Sequence, residues 1–282
     1  MKMREIDAKD VTAAVRRLCL DAAFRLPEDV EKALRDFRAQ EPSPVARDVL
    51  DVIIKNAEIA RDEEVAICQD TGYAVAFVTI GQEVRITGGG LSEAVAEGVR
   101  RGYTDGYLRK SIVADPLRRK NTGDNTPPVI HYDIVPGDTF KIHFEPKGGG
   151  CENMSRVAML KPADGVEGVR RFVLRTVDEA GPNPCPPTII GVGIGGDFEK
   201  SAILAKRATL RTVGDYNPDP YYAGLEKQWL DEINRLGIGP QGLGGRTTSL
   251  WLAIESYPCH IASLPAAVNV QCHAARHKSV TL

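Results

Sequence analysis

Six polar islands rich in glycine or proline interrupt this sequence, and four of its six cysteines lie inside them. The islands are Cys68-Gln69-Asp70-Thr71-Gly72, Asn121-Thr122-Gly123-Asp124-Asn125, Lys147-Gly148-Gly149-Gly150-Cys151-Glu152-Asn153, Asn183-Pro184-Cys185-Pro186-Pro187, Gly242-Leu243-Gly244-Gly245-Arg246 and Pro258-Cys259-His260. Structural cysteines sit mostly in apolar runs, so thiols placed in polar loops are candidate metal ligands. No two cysteines form the CxxC pair that a zinc site draws on. Cys68, Cys185 and Cys272 stand 117 and then 87 residues apart. Such spacing suits a cofactor held where distant loops meet. A cubane iron–sulfur cluster held by three thiolates leaves one iron open to act as a Lewis acid. Spacing alone leaves core thiols as the alternative.

Two further patterns have competing readings. Gly191-Val192-Gly193-Ile194-Gly195-Gly196 matches the dinucleotide-binding GxGxxG. Asp197 and Glu199 would occupy the first turn of the following helix and repel a pyrophosphate there, so a glycine-rich strand-to-helix turn is the preferred reading. Arg109 lies near Arg100, Arg101 and Lys110, which read together as a solvated basic patch. His260, next to Pro258-Cys259, reads either as an acid–base group or as an imidazole hydrogen-bonded in place. His273 and His277 read as structural or exposed.

The elements that must position these groups are α+β in class. Residues 1–65 form a helical front: Val11, Val15, Leu18 and Ala22 make one apolar stripe, with Asp10 as a candidate N-cap and Leu26-Pro27 as the stop. A second amphipathic run starts near Ser43-Pro44 and carries Val45, Val49, Ile53 and Ile59. A mixed helix–strand body over about 66–282 follows. Ala74–Ile80 and Val84–Thr87 read as strands joined by a hairpin at Gly81-Gln82. Gly88-Gly89-Gly90 leads into a helix from Ser92 to about Gly102. Strand-like runs at 130–134 and 140–144 flank the turn Pro136-Gly137-Asp138. Helices are expected at 166–179 and 200–211, a strand at 188–194, and an irregular tail from Tyr257. No linker composition marks a boundary, so one domain over 1–282 is expected.

Composition excludes several classes. The chain has 282 residues, 36 Lys plus Arg against 38 Asp plus Glu, and a net charge of -2, so it offers no bulk field for nucleic acid or an anionic membrane. No apolar run approaches the ~18 residues of a membrane span. The N-terminus lacks the apolar stretch of a secretory signal. Together with sparse cysteines, this points to a cytoplasmic protein without a disulfide scaffold.

Cys68-Gln69-Asp70-Thr71-Gly72 resembles the first cluster motif of the class I fumarases, iron–sulfur hydro-lyases that include L(+)-tartrate dehydratase. Gly88–Gly90, Asn121-Thr122-Gly123, Lys147–Gly150, Cys185-Pro186-Pro187 and the run from His260 to Cys272 match in the same order. The resemblance covers the chain from about residue 10 to its end, and the sequence is similar to the separate α subunit of the two-subunit form. It implies the fold of that family's N-terminal domain and a [4Fe-4S] cluster on Cys68, Cys185 and Cys272 with one iron lacking a protein ligand. The family's third thiolate lies twelve residues after the histidine, which selects Cys272 over Cys259. Cys151 stands where many relatives have serine and is expected beside the cluster; Cys19 is expected in the core.

The resemblance further implies a C4 dicarboxylate substrate bound by Gln69, Arg109, Gly149 and Gly150, with Asp70 and His260 as the acid–base pair. A β subunit would supply the C3 base, within a higher oligomer. Hydration of fumarate to (S)-malate is the leading activity. L(+)-tartrate dehydration is the close alternative, and a non-catalytic cluster- or zinc-binding interaction subunit is the alternative of another class.

Overall fold

The computed structural model describes residues 3–282. In chain order its elements are β1 (Arg4–Asp7), α1 (Ala8–Phe24), α2 (Glu28–Gln40), α3 (Pro44–Glu63), β2 (Tyr73–Gly81), β3 (Val84–Thr87), α4 (Leu91–Asp105), β4 (Val129–Val135) and β5 (Phe140–Lys147). Then come α5 (Gly149–Glu152), β6 (Arg156–Leu160), α6 (Gly165–Ala180), β7 (Thr188–Gly195), α7 (Phe198–Ala208), α8 (Pro220–Arg235), β8 (Ser249–Tyr257), β9 (Leu264–Gln271) and β10 (Lys278–Thr281). Helices and mixed sheets together bear out the α+β class. Among the described residues, no helix is long and apolar enough to cross a membrane.

The contacts divide the chain into two compact units that interleave in sequence. One takes the residues up to Pro27, Asn56–Gly149 and Arg276–Leu282; the other takes Glu28–Lys55 and Gly150–Ala275. One crossing falls inside α3 and another inside the Gly148–Gly150 run.

The first unit is built on a four-stranded sheet in the order β10-β5-β2-β4, beside a two-stranded parallel pair of β1 and β3. Phe140, Ile142 and Phe144 alternate along β5 and are fully buried with the α1 stripe of Val11, Val15 and Leu18 and the α4 residues Val95 and Val99. Helix α1 meets α4 closely: a Cβ on Gly102 would lie 2.5 Å from that of Cys19. Cys19 is thus a core thiol, as expected, and burial pushes it well above its ordinary value.

Two local expectations for this unit need correction. The N-cap of α1 is Asp7, whose carboxylate accepts from the Lys9 N–H, rather than Asp10; β1 brings the chain in one turn earlier. Gly81-Gln82 is not a hairpin. Both edges of β2 are taken, by β4 in parallel and β5 antiparallel, so β3 pairs with β1 instead. β4 and β5, although flanking a turn, are separated by β2.

The second unit has a sheet in the order β6-β9-β7-β8 with helices on both faces. Ile190 and Val192 of β7 face the α6 and α8 core with Val169, Val173, Trp229 and Ile233. Gly191 and Gly193, on the opposite face, lie under α7. A Cβ on Gly191 would come within 2.0 Å of the Ala205 carbonyl, and one on Gly193 within 2.0 Å of that of Ser201. The Asp197 carboxylate caps α7 by accepting from the Lys200 N–H. The glycine run is thus a close-packing turn whose helix end is filled by its own carboxylate.

The tail is more regular than expected. β9 lies inside the sheet, pairing with both β6 and β7. Its buried Ala266, Ala267, Val268 and Val270 are hidden in the sequence between two Cys- and His-bearing stretches.

Gly191→Ala should lower stability by at least ~1–3 kcal/mol, because the added methyl overlaps a helix carbonyl that cannot retreat without moving α7. A lower urea midpoint with an unchanged slope is the expected result.

Candidate functional site

Antiparallel pairing places the chemistry-bearing loops. In the first unit, Tyr73 at the start of β2 pairs with Lys147 at the end of β5. The Cys68–Gly72 loop that enters β2 therefore lies beside the glycines that leave β5. The Asp70 carboxylate joins them: Oδ1 accepts from the Gly72 N–H at 3.0 Å and Oδ2 from the Gly149 N–H at 2.8 Å. Gly149, expected to bind substrate, already gives its N–H to Asp70. The Asp70 N–H donates to Cys68 Sγ at 3.4 Å, and that thiol lies 3.5 Å from Gln69 Oε1.

The carbonyls of this loop have no strand partner and are met by buried side chains. Tyr103 Oη of α4 lies 2.8 Å from the Thr71 carbonyl and 3.1 Å from that of Gly72. Asn125 Nδ2 donates to the Gly72 carbonyl at 3.2 Å. Arg276 donates through Nη2 to the Asp70 carbonyl. Burial raises the Tyr103 phenol above its ordinary value, so it serves as a protonated donor. The sequence reading missed Tyr103 and Arg276. Asn125 sat in a recognised island without a role.

Arg109 is tied to the same loop by its main chain, since Thr71 Oγ1 donates to its carbonyl at 2.9 Å. Its basic neighbours differ from it in charge pairing. Arg100 bonds Glu97 and Asp124, and Arg101 bonds Glu97. Among the described residues, no acidic partner is recorded for the exposed Arg109 guanidinium, which leaves it suited to an anionic ligand.

In the second unit the same geometry recurs. Ile189 near the start of β7 pairs with Gln271 at the end of β9. Cys185, just before β7, and Cys272, just after β9, are thus neighbours despite the 87 residues between them. His273 closes the junction: its N–H donates to the Cys185 carbonyl at 3.4 Å, and its ring Nδ1 lies 3.0 Å from the same oxygen and 3.2 Å from Gln241 Nε2. Gln241 holds the next turn by donating to the Pro186 carbonyl from its N–H at 2.7 Å and from Nε2 at 3.0 Å. Cys185 is exposed, with a φ of 54°. His273 is therefore structural in a specific sense, as the clasp between two cysteine-bearing segments. Gln241 was passed over although it adjoins the Gly242 island.

The other thiols of this unit are placed differently. Cys151 is buried and donates to Gln271 Oε1 at 3.1 Å, an oxygen that also accepts from the Cys272 N–H. Cys259 is exposed and contacts the Ser263 carbonyl within its own turn. His260 is exposed, and its Nδ1 accepts from the Ala262 N–H at 3.1 Å. A neutral ring then carries its proton on Nε2. Asp70 and His260 belong to different units, as do Gly149 and Gly150 and also Cys68 and the other two candidate ligands. Within either unit taken by itself, the described residues contain no ready group of three His, Cys, Asp or Glu around a metal position.

Asp124 anchors the long loop that carries Arg109. Its partial burial opposes ionisation, but the hydroxyl and N–H of Thr126, together with Arg100, outweigh that and hold the carboxyl down to about 2. The depressed value means its stabilising contribution is complete above the ordinary 3.8 and is lost as pH falls toward 2. Asp124→Asn should therefore be less stable than the wild type at pH 7, with the gap closing between about pH 4 and 2. Urea unfolding across that range checks this.

The family model described as fumarate hydratase (Fumerase) matches residues 12–281. A Methanocaldococcus jannaschii protein named putative L(+)-tartrate dehydratase subunit alpha is 42% identical over 272 residues, covering 94% of this chain and 95% of its own. An Escherichia coli protein named L(+)-tartrate dehydratase subunit alpha is 35% identical over 270 residues, covering 94% and 88%. The protein of the same name from Shigella sonnei is 34% identical over the same length and shares.

Proposed function

The chain belongs to the fumarate hydratase (Fumerase) family of hydro-lyases, and from that premise we propose that it is the α subunit of a C4-dicarboxylate hydro-lyase whose site a β subunit completes. The reaction is the reversible hydration of fumarate to (S)-malate. What carries the reading is the family match across nearly the whole chain, residues 12–281. The relatives' designation as subunit alpha supports the β partner.

Cys68, Cys185 and Cys272 would hold a [4Fe-4S] cluster. The donor set fits. These three thiols, like Cys259, are exposed or half-buried in loops at strand ends, whereas Cys19 and Cys151 are buried. Soft sulfur ligands suit iron–sulfur clusters. When bound, with one iron free of protein ligands, the cluster supplies a Lewis acid for the departing hydroxyl.

The remaining work falls to this chain's side chains. Arg109 pairs with a substrate carboxylate, helped by Gln69 and the Gly150 backbone. Gly149 contributes indirectly, by fixing Asp70. His260 would be the group that passes a proton to the leaving hydroxide. Asp70, whose carboxylate is fixed by two backbone N–H groups, would be the second member of the acid–base pair. The base for the C3 proton is left to the β subunit.

A second substrate has its own support. The relatives are named for L(+)-tartrate dehydration, and L-tartrate differs from malate by one hydroxyl. A site that hydrogen-bonds that hydroxyl rejects the substrate lacking it far more strongly than an apolar site rejects the reverse. Side-by-side turnover of (S)-malate and L-tartrate by the anaerobically co-expressed αβ complex decides between them. Failure to turn over either substrate by a complex loaded with iron and sulfide would overturn the hydro-lyase reading. Zinc without sulfide would favour a non-catalytic metal-binding subunit.

In that complex, Cys185→Ser should abolish turnover and the signal of the open iron. Arg109→Gln should raise KM at least ~10-fold, the effect of losing about 1.4 kcal/mol of charge-assisted binding.

A further inference from the structure

Arg276 is 2% exposed, yet its donors are mostly idle. Nη2 reaches the main-chain carbonyl of Asp70, while Nε and Nη1 are buried without an acceptor among the described residues. The Asp70 carboxylate does not fill that role, being turned to the N–H groups of Gly72 and Gly149. A buried cation with unmet donors is destabilising unless an acceptor arrives. Bracing the loop does not require one, since the adjoining carbonyls of Thr71 and Gly72 are held by the neutral groups of Tyr103 and Asn125.

The position of the charge is informative. The Asp70 residue that Arg276 grips through its carbonyl donates its own N–H to Cys68 Sγ. The guanidinium therefore stands beside the segment that carries a candidate cluster ligand. A cubane cluster held by three thiolates carries net negative charge, and nearby cations and hydrogen bonds to its sulfurs raise its reduction potential.

We propose that Arg276 is a positioning residue for the iron–sulfur cluster: it keeps Nε and Nη1 for the anionic group bound at Cys68. The proposal rests on the cluster reading given above. The role is electrostatic. It stabilises the bound cluster and sets its potential, at a cost to the chain when the cluster is absent.

The test uses the αβ complex as wild type, Arg276→Gln and Arg276→Lys, each both cluster-loaded and stripped anaerobically with a chelator. Iron and sulfide content, the EPR spectrum of the dithionite-reduced cluster, the midpoint potential and the melting temperature are read. In the loaded state, Arg276→Gln should move the midpoint to more negative potential and alter the EPR line shape, while Arg276→Lys, which keeps the charge, should move it less. In the stripped state, Arg276→Gln should melt no lower than the wild type, because it removes a buried cation with unmet donors.

Equal potentials and spectra across the three loaded complexes would overturn the proposal. So would a stripped Arg276→Gln complex that melts lower or fails to fold, since either marks Arg276 as a structural brace. If the wild-type complex takes up no iron and sulfide, the cluster reading itself fails, and the proposal falls with it.

Discussion

Antiparallel register is the constraint on which the candidate site depends. When two neighbouring strands run in opposite directions, the loop entering one lies beside the loop leaving the other. Each unit uses this once. Tyr73 opposite Lys147 sets the Cys68–Gly72 loop against the glycines after β5, and Ile189 opposite Gln271 sets Cys185 against Cys272. Side-chain period in a strand is two, so a slip of one residue in either register would turn the buried face of the sheet outward. The cores that bury Phe144 in one unit and Val192 in the other thus also hold the loops in place.

Loops at strand ends must still satisfy their backbone groups, and here that need and the chemistry share the same residues. In the first unit, a phenol, an amide and a guanidinium take the carbonyls of three successive residues, Asp70, Thr71 and Gly72. In the second, His273 and Gln241 take those of Cys185 and Pro186. The donors come from α4, from the long loop before β4, from the segment before β10 and from residues near β9. Each is remote in sequence from the carbonyl it serves. Reactive side chains can then remain accessible while their main chain is fixed, which is what preorganised chemistry requires.

Charge is distributed by the same logic. Several surface arginines are paired with acids one turn away, as Arg101 is with Glu97, and such pairs contribute little individually. Among the described residues, neither Arg109 nor Arg276 has an acidic partner; Arg109 is exposed and Arg276 is buried against the Asp70 carbonyl. Both flank the Cys68–Gly72 loop. An anionic substrate and an anionic cofactor would each find a cation there.

The sequence by itself determined the α+β class, the helical front, most strands and the chemistry-bearing islands, because periodicity, glycine, proline and cysteine are local signals. It also carried the ordered motifs by which the family is recognised. Tertiary structure alone decided which strands pair. Gly81-Gln82 has a hairpin's composition, but β2 already had two partners, and no residue type encodes that. It alone decided that the tail holds an inner strand, that the chain divides between two interleaved units, and that His273 grips Cys185. The physical reason is the same in each case: a hydrogen bond between residues tens or hundreds of positions apart depends on where the fold places them, and a linear pattern records only what lies within a few residues.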